Sequence, residues 1–324
     1  MQITQTYFYH PSNFQTNESI IKSFEQKDIP MQKIQNSLGR EKRFILDANS
    51  SETTLTMAID AAKGALEESN LSINDIDIIA LVSSTPELLV PSGAIKIHKA
   101  LNAKEEMLCF DMNANCIGAF IALDQLSKYL NATPFIKRAL IICAENLSRI
   151  EDVNNPVTAF CFSDSAFAFI VEKDDTDSGL KDVMYHTDSG VADTLVFPPI
   201  GFSNFKTCDS LFWDSSFDGI GSVEFIKKKL EVFLERNNMS LDDISLFLFS
   251  QFSFKNVKLI KEYFNLEDDK VPFYSHELGY TGSSSPFLAL DQYQRRVRKI
   301  KKGEHILFWT LGAGYEAGLM LWKY

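Results

Sequence analysis

Two stretches of the chain, Asp77-Ile78-Ile79-Ala80-Leu81-Val82 and Lys137 to Cys143, are apolar with almost no alternation. Continuous runs of this length predict strands buried on both faces, in a sheet covered by helices on either side. Elsewhere the rhythm changes. Residues 56–70 carry apolar side chains at the 3.6-residue period and lead through Asn70 and Ser72 into the first of those strands. Asp111 closes another strand, Cys116 stands at a turn, and Gly118 to Leu130 returns to helical spacing. Strands and helices alternate, which predicts crossover units and a mostly parallel sheet, an α/β fold.

The same order then recurs. Residues 120–126 read FIALDQL and residues 287–293 read FLALDQY, five identities in seven at an offset of 167. Upstream, LEESNLSINDI at 66–76 matches LERNNMSLDDI at 234–244 at an offset of 168, and each precedes an apolar strand. A third pair, AIKIHKALN at 94–102 and NVKLIKEYF at 256–264, shares a lysine and its apolar spacing. Three matches in one order argue for a duplication. The halves run 1–172 and 173–324, joined at the polar stretch from Glu172 to Gly179. The irregular stretch 186–222 reads as an insertion in the second half, a cap over a cleft.

Composition narrows the functions. Apolar residues at 45% and charged residues at 23% exclude wholesale disorder. Lysine and arginine number 32 against 43 acidic residues, a net charge of −11 that argues against a broad nucleic-acid footprint. Met1 to Thr6 lacks a basic, apolar leader, and no run of about 18 apolar residues predicts a membrane span. The five cysteines (109, 116, 143, 161 and 208) form no C-x-x-C pair and have no histidine at zinc-finger spacing. They read as reduced thiols of a cytoplasmic protein without a structural metal.

Cys116 differs from the other cysteines by position. At a helix start it would face the positive end of the helix dipole, which lowers a thiol pKa and favours the nucleophilic thiolate. Its own N–H could form half of an oxyanion hole. Cys109, Cys143 and Cys161 stand in or beside apolar runs and read as buried small hydrophobes.

Asn113-Ala114-Asn115-Cys116-Ile117-Gly118 resembles the nucleophile motif of the thiolase superfamily, in particular of ketoacyl-acyl-carrier-protein synthase III. Gly39-Arg40-Glu41-Lys42-Arg43 is similar to that family's basic "GIRERR" element, and Ser83-Ser84-Thr85-Pro86 with Pro91-Ser92 to its substrate loop. Phe162 to Ala168 resembles "FGDGAGA", Gly279 to Ser284 "GNTSAAS", and Leu311-Gly312-Ala313-Gly314 "FGGG". The resemblance implies a thiolase fold, two duplicated βα halves in a layered αβαβα sandwich. It also implies an acyltransferase that carries the acyl group on Cys116.

The family's triad is Cys, His and Asn, and the chain departs from it. The histidine opens "HQAN", which aligns with Ser250-Gln251-Phe252-Ser253, so Ser250 takes its place. Tyr280 takes the place of the asparagine. Decarboxylative condensation needs two donors for the enolate oxygen, and a serine and a tyrosine are not equivalent to the pair they replace. Transfer of an acyl group to Cys116 needs only a thiolate and an oxyanion hole, which the resemblance assigns to the N–H groups of Cys116 and Ala313; Gly312 and Gly314 on either side, with Val90, are the substrate-binding candidates. His276, on the loop before Tyr280, is a further candidate for proton transfer.

The resemblance extends to substrates and partners. The donor is an acyl carrier protein or coenzyme A thioester, with no permanently bound cofactor. Gln32 replaces the tryptophan that stacks on the coenzyme A adenine, which weakens the case for free coenzyme A. Val90 matches the site where a partner subunit floors the acyl pocket. Lys255, Lys258 and Lys261 share one helix face, where an acidic carrier would dock; Lys255 matches the family's docking arginine. A second basic run, Arg295 to Lys302, reads as a solvated face. The family implies a homodimer, or a heterodimer with a homologue. A second reading stays open: a non-catalytic pseudo-ketosynthase subunit that pairs with an active homologue.

Overall fold

The computed structural model describes residues 1–206, 210–214 and 219–324; Cys208 lies outside them. The first half contributes the strands β1 (Gln2–Tyr9), β2 (Ile78–Val82), β3 (Leu108–Met112), β4 (Arg138–Glu145) and β5 (Ser165–Glu172) to one sheet. The second contributes β6 (Gly179–Thr187), β7 (Ile244–Phe249), β8 (His305–Gly312) and β9 (Glu316–Lys323) to another. The strand orders are β3-β2-β4-β5-β1 and β7-β8-β9-β6. The two orders coincide if β7, β8, β9 and β6 stand for β2, β4, β5 and β1.

Strand directions repeat as well. β2 and β4 are parallel, as are β7 and β8. β4–β5 and β5–β1 are antiparallel, as are β8–β9 and β9–β6. The expected mostly parallel sheet is therefore corrected to a mixed one. The parallel pairs follow helical crossovers, whereas β9 returns directly from β8 through the tight turn Ala313-Gly314-Tyr315, where Gly314 and Tyr315 both have positive φ.

The helices complete five layers. α1 (Thr54–Ser69) and α2 (Gly93–Leu101) pack on the outer face of the first sheet through Met57, Ala61, Ala65 and Ile97. α3 (Gly118–Ala132) lies between the sheets. α4 (Ile220–Glu235) and α5 (Phe254–Phe264) cover the outer face of the second sheet. After the short α6 (Ser275–Leu278), α7 (Ser285–Arg296) joins α3 in the central layer, where Phe120, Leu123, Phe287 and Leu290 fill the core between the sheets. This αβαβα sandwich is the expected fold. Strands buried on both faces need apolar residues at every position, which explains the unalternating runs.

The repeated LDQ segment has the same job in both halves. Asp124 of α3 accepts a hydrogen bond from Tyr185 of β6 at 2.9 Å, and Lys128 pairs with it one turn on at 2.7 Å. Asp291 of α7 accepts one from Thr6 of β1 at 2.8 Å, and Arg295 pairs with it one turn on at 2.8 Å. Each central helix is thus pinned to the first strand of the opposite half.

Candidate active site

Cys116 follows β3 in a single 3-10 turn, Asn115–Ile117, that runs straight into α3. The packing there is tight. A Cβ on Gly118 would lie 2.5 Å from Val82 Cγ1, so only glycine lets α3 start against the sheet. Cys116 is partly exposed to a cavity of about 60 Å³, whose walls include Ser250, Tyr280, Phe252, Phe162, Trp213, Leu195, Trp309, Gly312 and Ala313. The structure therefore brings the cysteine and both replaced triad positions to one place, with Ala313 and Gly312 beside them. Ser250 sits just beyond β7, its N–H bonded to the Trp309 carbonyl at 2.8 Å and its hydroxyl buried on the cavity side. Tyr280 is 2% exposed, and its phenol meets both Cys116 and Ser250.

The electrostatics differ from the sequence expectation. Burial pushes the Cys116 thiol up to about 12, and the charge of Glu145 adds to this; the Tyr280 hydroxyl, donating towards the sulfur, pulls it partly back. The helix start does not outweigh removal from water. Cys116 is thus a protonated thiol at rest rather than a standing thiolate. Burial and the adjacent thiol hold the Tyr280 phenol well above its ordinary range, so it acts as a donor and not as a base.

Aromatic side chains shape the cavity. Phe252, where the family's "HQAN" has alanine, stacks on Trp213 at 5.6 Å between centroids and meets Tyr280 edge-on at 5.2 Å. Arg40 backs this wall. It is 1% exposed, lies 5.1 Å from the Phe252 ring and 5.8 Å from the Tyr280 ring, and donates to the Phe252 carbonyl. Leu195 and Trp213 come from the insertion, which therefore does overhang the site.

Other sequence candidates lie elsewhere. His276 is not a cavity residue: it belongs to the helix α6, with its ring against Phe254 and Phe273 at 5.1 and 4.9 Å. Four residues before Tyr280 is close in sequence, but the helical turn directs the imidazole away. Gly314, at φ +75°, shapes the β8–β9 turn and does not line the cavity. Val90 is 87% exposed at a loop tip. Lys255, Lys258 and Lys261 do share α5, but Lys258 lies 3.6 Å from Glu262 and Lys261 pairs with Asp268. The arginines of the second basic run are paired: Arg295 with Glu68 and Asp291, Arg296 with Glu277 and Arg298 with Glu304. Among the described residues, no three His, Cys, Asp or Glu side chains converge as a metal site would require, and no helix is long and apolar enough to cross a membrane.

Sequence reasoning missed Phe252, Trp213, Trp309 and Glu145 as site residues. Phe252 had a signal, the loss of a small residue two places after Ser250. Trp213 had none, because nothing in the insertion's sequence fixes where it folds back.

A duplicated αβαβα sandwich with a cysteine at a central helix start defines a thiolase-fold protein. The family 3-oxoacyl-[acyl-carrier-protein (ACP)] synthase III matches residues 110–189, and its C-terminal counterpart matches 234–324. Beta-ketoacyl-[acyl-carrier-protein] synthase III of Rickettsia canadensis is 28% identical, with 97% of this chain and 96% of the relative covered. That of Clostridium perfringens (strain SM101) is 29% identical over 97% and 96%. The solved 3-oxoacyl-[acyl-carrier-protein] synthase III of Aquifex aeolicus superposes with a TM-score of 0.85 at 27% identity, covering 100% of this chain and 99% of that one. The Thermus thermophilus structure superposes at 0.87 with 22% identity, over 100% and 99%. The chain belongs to the 3-oxoacyl-ACP synthase III-like group of the thiolase superfamily.

Proposed function

We propose that this protein is an acyltransferase in which Cys116 accepts an acyl group from an acyl carrier protein or coenzyme A thioester. The observation that carries the reading is the convergence of Cys116, Ser250, Tyr280 and Ala313 on one cavity at a helix start. The Cys116 sulfur attacks the thioester carbonyl and forms a new C–S bond. The carbonyl oxygen takes up negative charge towards the N–H groups of Cys116 and Ala313, and the pantetheine thiol leaves with the proton that the cysteine gave up. Tyr280, donating to the sulfur, favours its ionised form.

Condensation with a malonyl thioester is the weak step in this proposal. The enolate oxygen would need two donors where the family has His and Asn, and Ser250 and Tyr280 stand there beside the bulky Phe252. Loss of one such donor typically costs about 3–4 kcal/mol. The acyl group would then pass slowly to carbon, or to another acceptor. Release of carbon dioxide from malonyl carrier protein tests this: slow or absent release is expected. Brisk release that survives both Ser250→Ala and Tyr280→Phe would contradict it.

The exposed edge supports a paired assembly. β3 ends the first sheet with Leu108 42% exposed, and Leu89 and Val90, in the loop before α2, are 70% and 87% exposed. An apolar edge strand of this kind invites a second strand. We take it as the contact with a second copy or a homologue, whose Val90 would reach the neighbouring acyl pocket. Lys255, exposed and without an acidic partner among the described residues, is the first contact for an acidic carrier. The same proposal takes 1–172 and 173–324 as the two halves and the cytoplasm as the compartment.

One observation favours the second reading, a pseudo-ketosynthase subunit. The thiol is held at about 12, and among the described residues no imidazole lines the cavity. In that case Cys116 gains no acyl mass unless a homologous partner is present.

A further inference from the structure

Glu145 closes β4 at 1% exposure, and among the described residues no cation lies within ion-pairing distance of it. A buried carboxylate without a cation must be held by hydrogen bonds. Ser84 donates its N–H at 3.1 Å and its hydroxyl at 2.8 Å, and Thr85 donates its hydroxyl at 3.0 Å, all to one oxygen. The other oxygen accepts from the Ser283 hydroxyl at 3.2 Å. Thr85 in turn accepts from the Asn146 N–H at 2.8 Å. Two segments therefore meet on this side chain at the end of β4: the loop after β2 and the turn Gly282–Ser284 that follows Tyr280. Ser283 also lies close to the start of α3, where a Cβ added to Gly118 would come within 3.7 Å of the Ser283 Cβ.

We propose that Glu145 is a positioning residue for Cys116: its carboxylate ties the Ser84–Thr85 loop to the Gly282–Ser284 turn, which packs against the turn that carries the cysteine. Residues 83–85 and 282–284 bring hydroxyls but no charged side chains to it. The titratable groups that face it are Cys116 from the turn before α3 and Cys143 from its own strand, and burial with the Glu145 charge raises both thiols. Burial also pushes the carboxyl itself up to about 7, against the pull of its four donors. Below that pH the neutral carboxyl no longer opposes the thiolate; above it the charge does.

The proposal takes Cys116 as the reacting group, as does the function proposed above. Alkylation by iodoacetamide, followed by mass at the Cys116 peptide, reports the thiolate whether or not any acyl group is transferred, so the two can fail separately. In the unmodified protein, the logarithm of the rate should rise with pH, flatten around pH 7, and rise again. Glu145→Gln should abolish the flat region and react roughly three- to tenfold faster above pH 8. Ser84→Ala removes the hydroxyl bond that favours the carboxylate and keeps the backbone one, so the flat region should move to higher pH. An unbroken rise in the unmodified protein would overturn the proposal without any variant. So would a flat region that persists in Glu145→Gln or stays in place in Ser84→Ala.

Discussion

At Cys116 two opposing effects act on one thiol, and burial wins. The sequence reveals the helix start that favours a thiolate, because a turn followed by helical spacing is local. It does not reveal the depth of the cavity, which depends on Phe252, Trp213 and Tyr280 arriving from three distant segments. The Tyr280 hydroxyl, donating towards the sulfur, favours its ionisation. Tyr280→Phe removes that donor and should slow iodoacetamide labelling of Cys116 by roughly three- to tenfold at pH 8. Labelling at an unchanged or faster rate would show that the phenol does not reach the sulfur. Glu145 has a stability signature as well. Its folded-state value of about 7 lies above the ordinary 4.5, so the folded chain keeps this proton to higher pH than the unfolded chain. Its contribution is full at low pH and is lost as pH rises from about 4.5 through about 7, on the order of 3 kcal/mol. Urea unfolding at pH 5 and pH 8 should show that decline, and Glu145→Gln should flatten it.

Among the elements, α3 and α7 were the most legible. Their shared LDQ segment survives because Asp124 and Asp291 each accept a hydroxyl from the opposite half, a constraint that apolar spacing alone would not impose. Asp291 is 1% exposed and accepts from Thr6, Gln292 and Arg295. Asp291→Ala should therefore cost about 2–4 kcal/mol in chemical denaturation, with Thr6 left unpaired at the core. A cost under about 0.5 kcal/mol would mean that the repeated aspartate is not a structural pin. The sheet directions were less legible. Residues 305–323 are so uniformly apolar that only the short turn between β8 and β9 marks the reversal, and apolar pattern does not distinguish parallel from antiparallel neighbours. His276 failed for a similar reason, since separation along the chain says nothing about which way a helical side chain turns.

For the whole molecule, β3 is an exposed sheet edge and Leu89 and Val90 are exposed apolar side chains, and the proposed pairing rests on these. Sedimentation at micromolar concentration should give a species of two chains, and Leu108→Lys should shift it towards one. A single-chain mass for the unmodified protein at every concentration would count against the pairing. A partner that completes the acyl pocket also bears on the central claim, that Cys116 takes an acyl group even though its triad partners have been replaced. Intact-protein mass after incubation with short- and medium-chain acyl carrier protein thioesters tests that claim most directly. The account predicts one added acyl mass on the unmodified protein and none on Cys116→Ala. The same gain on Cys116→Ala, or no gain on the unmodified protein, would contradict it.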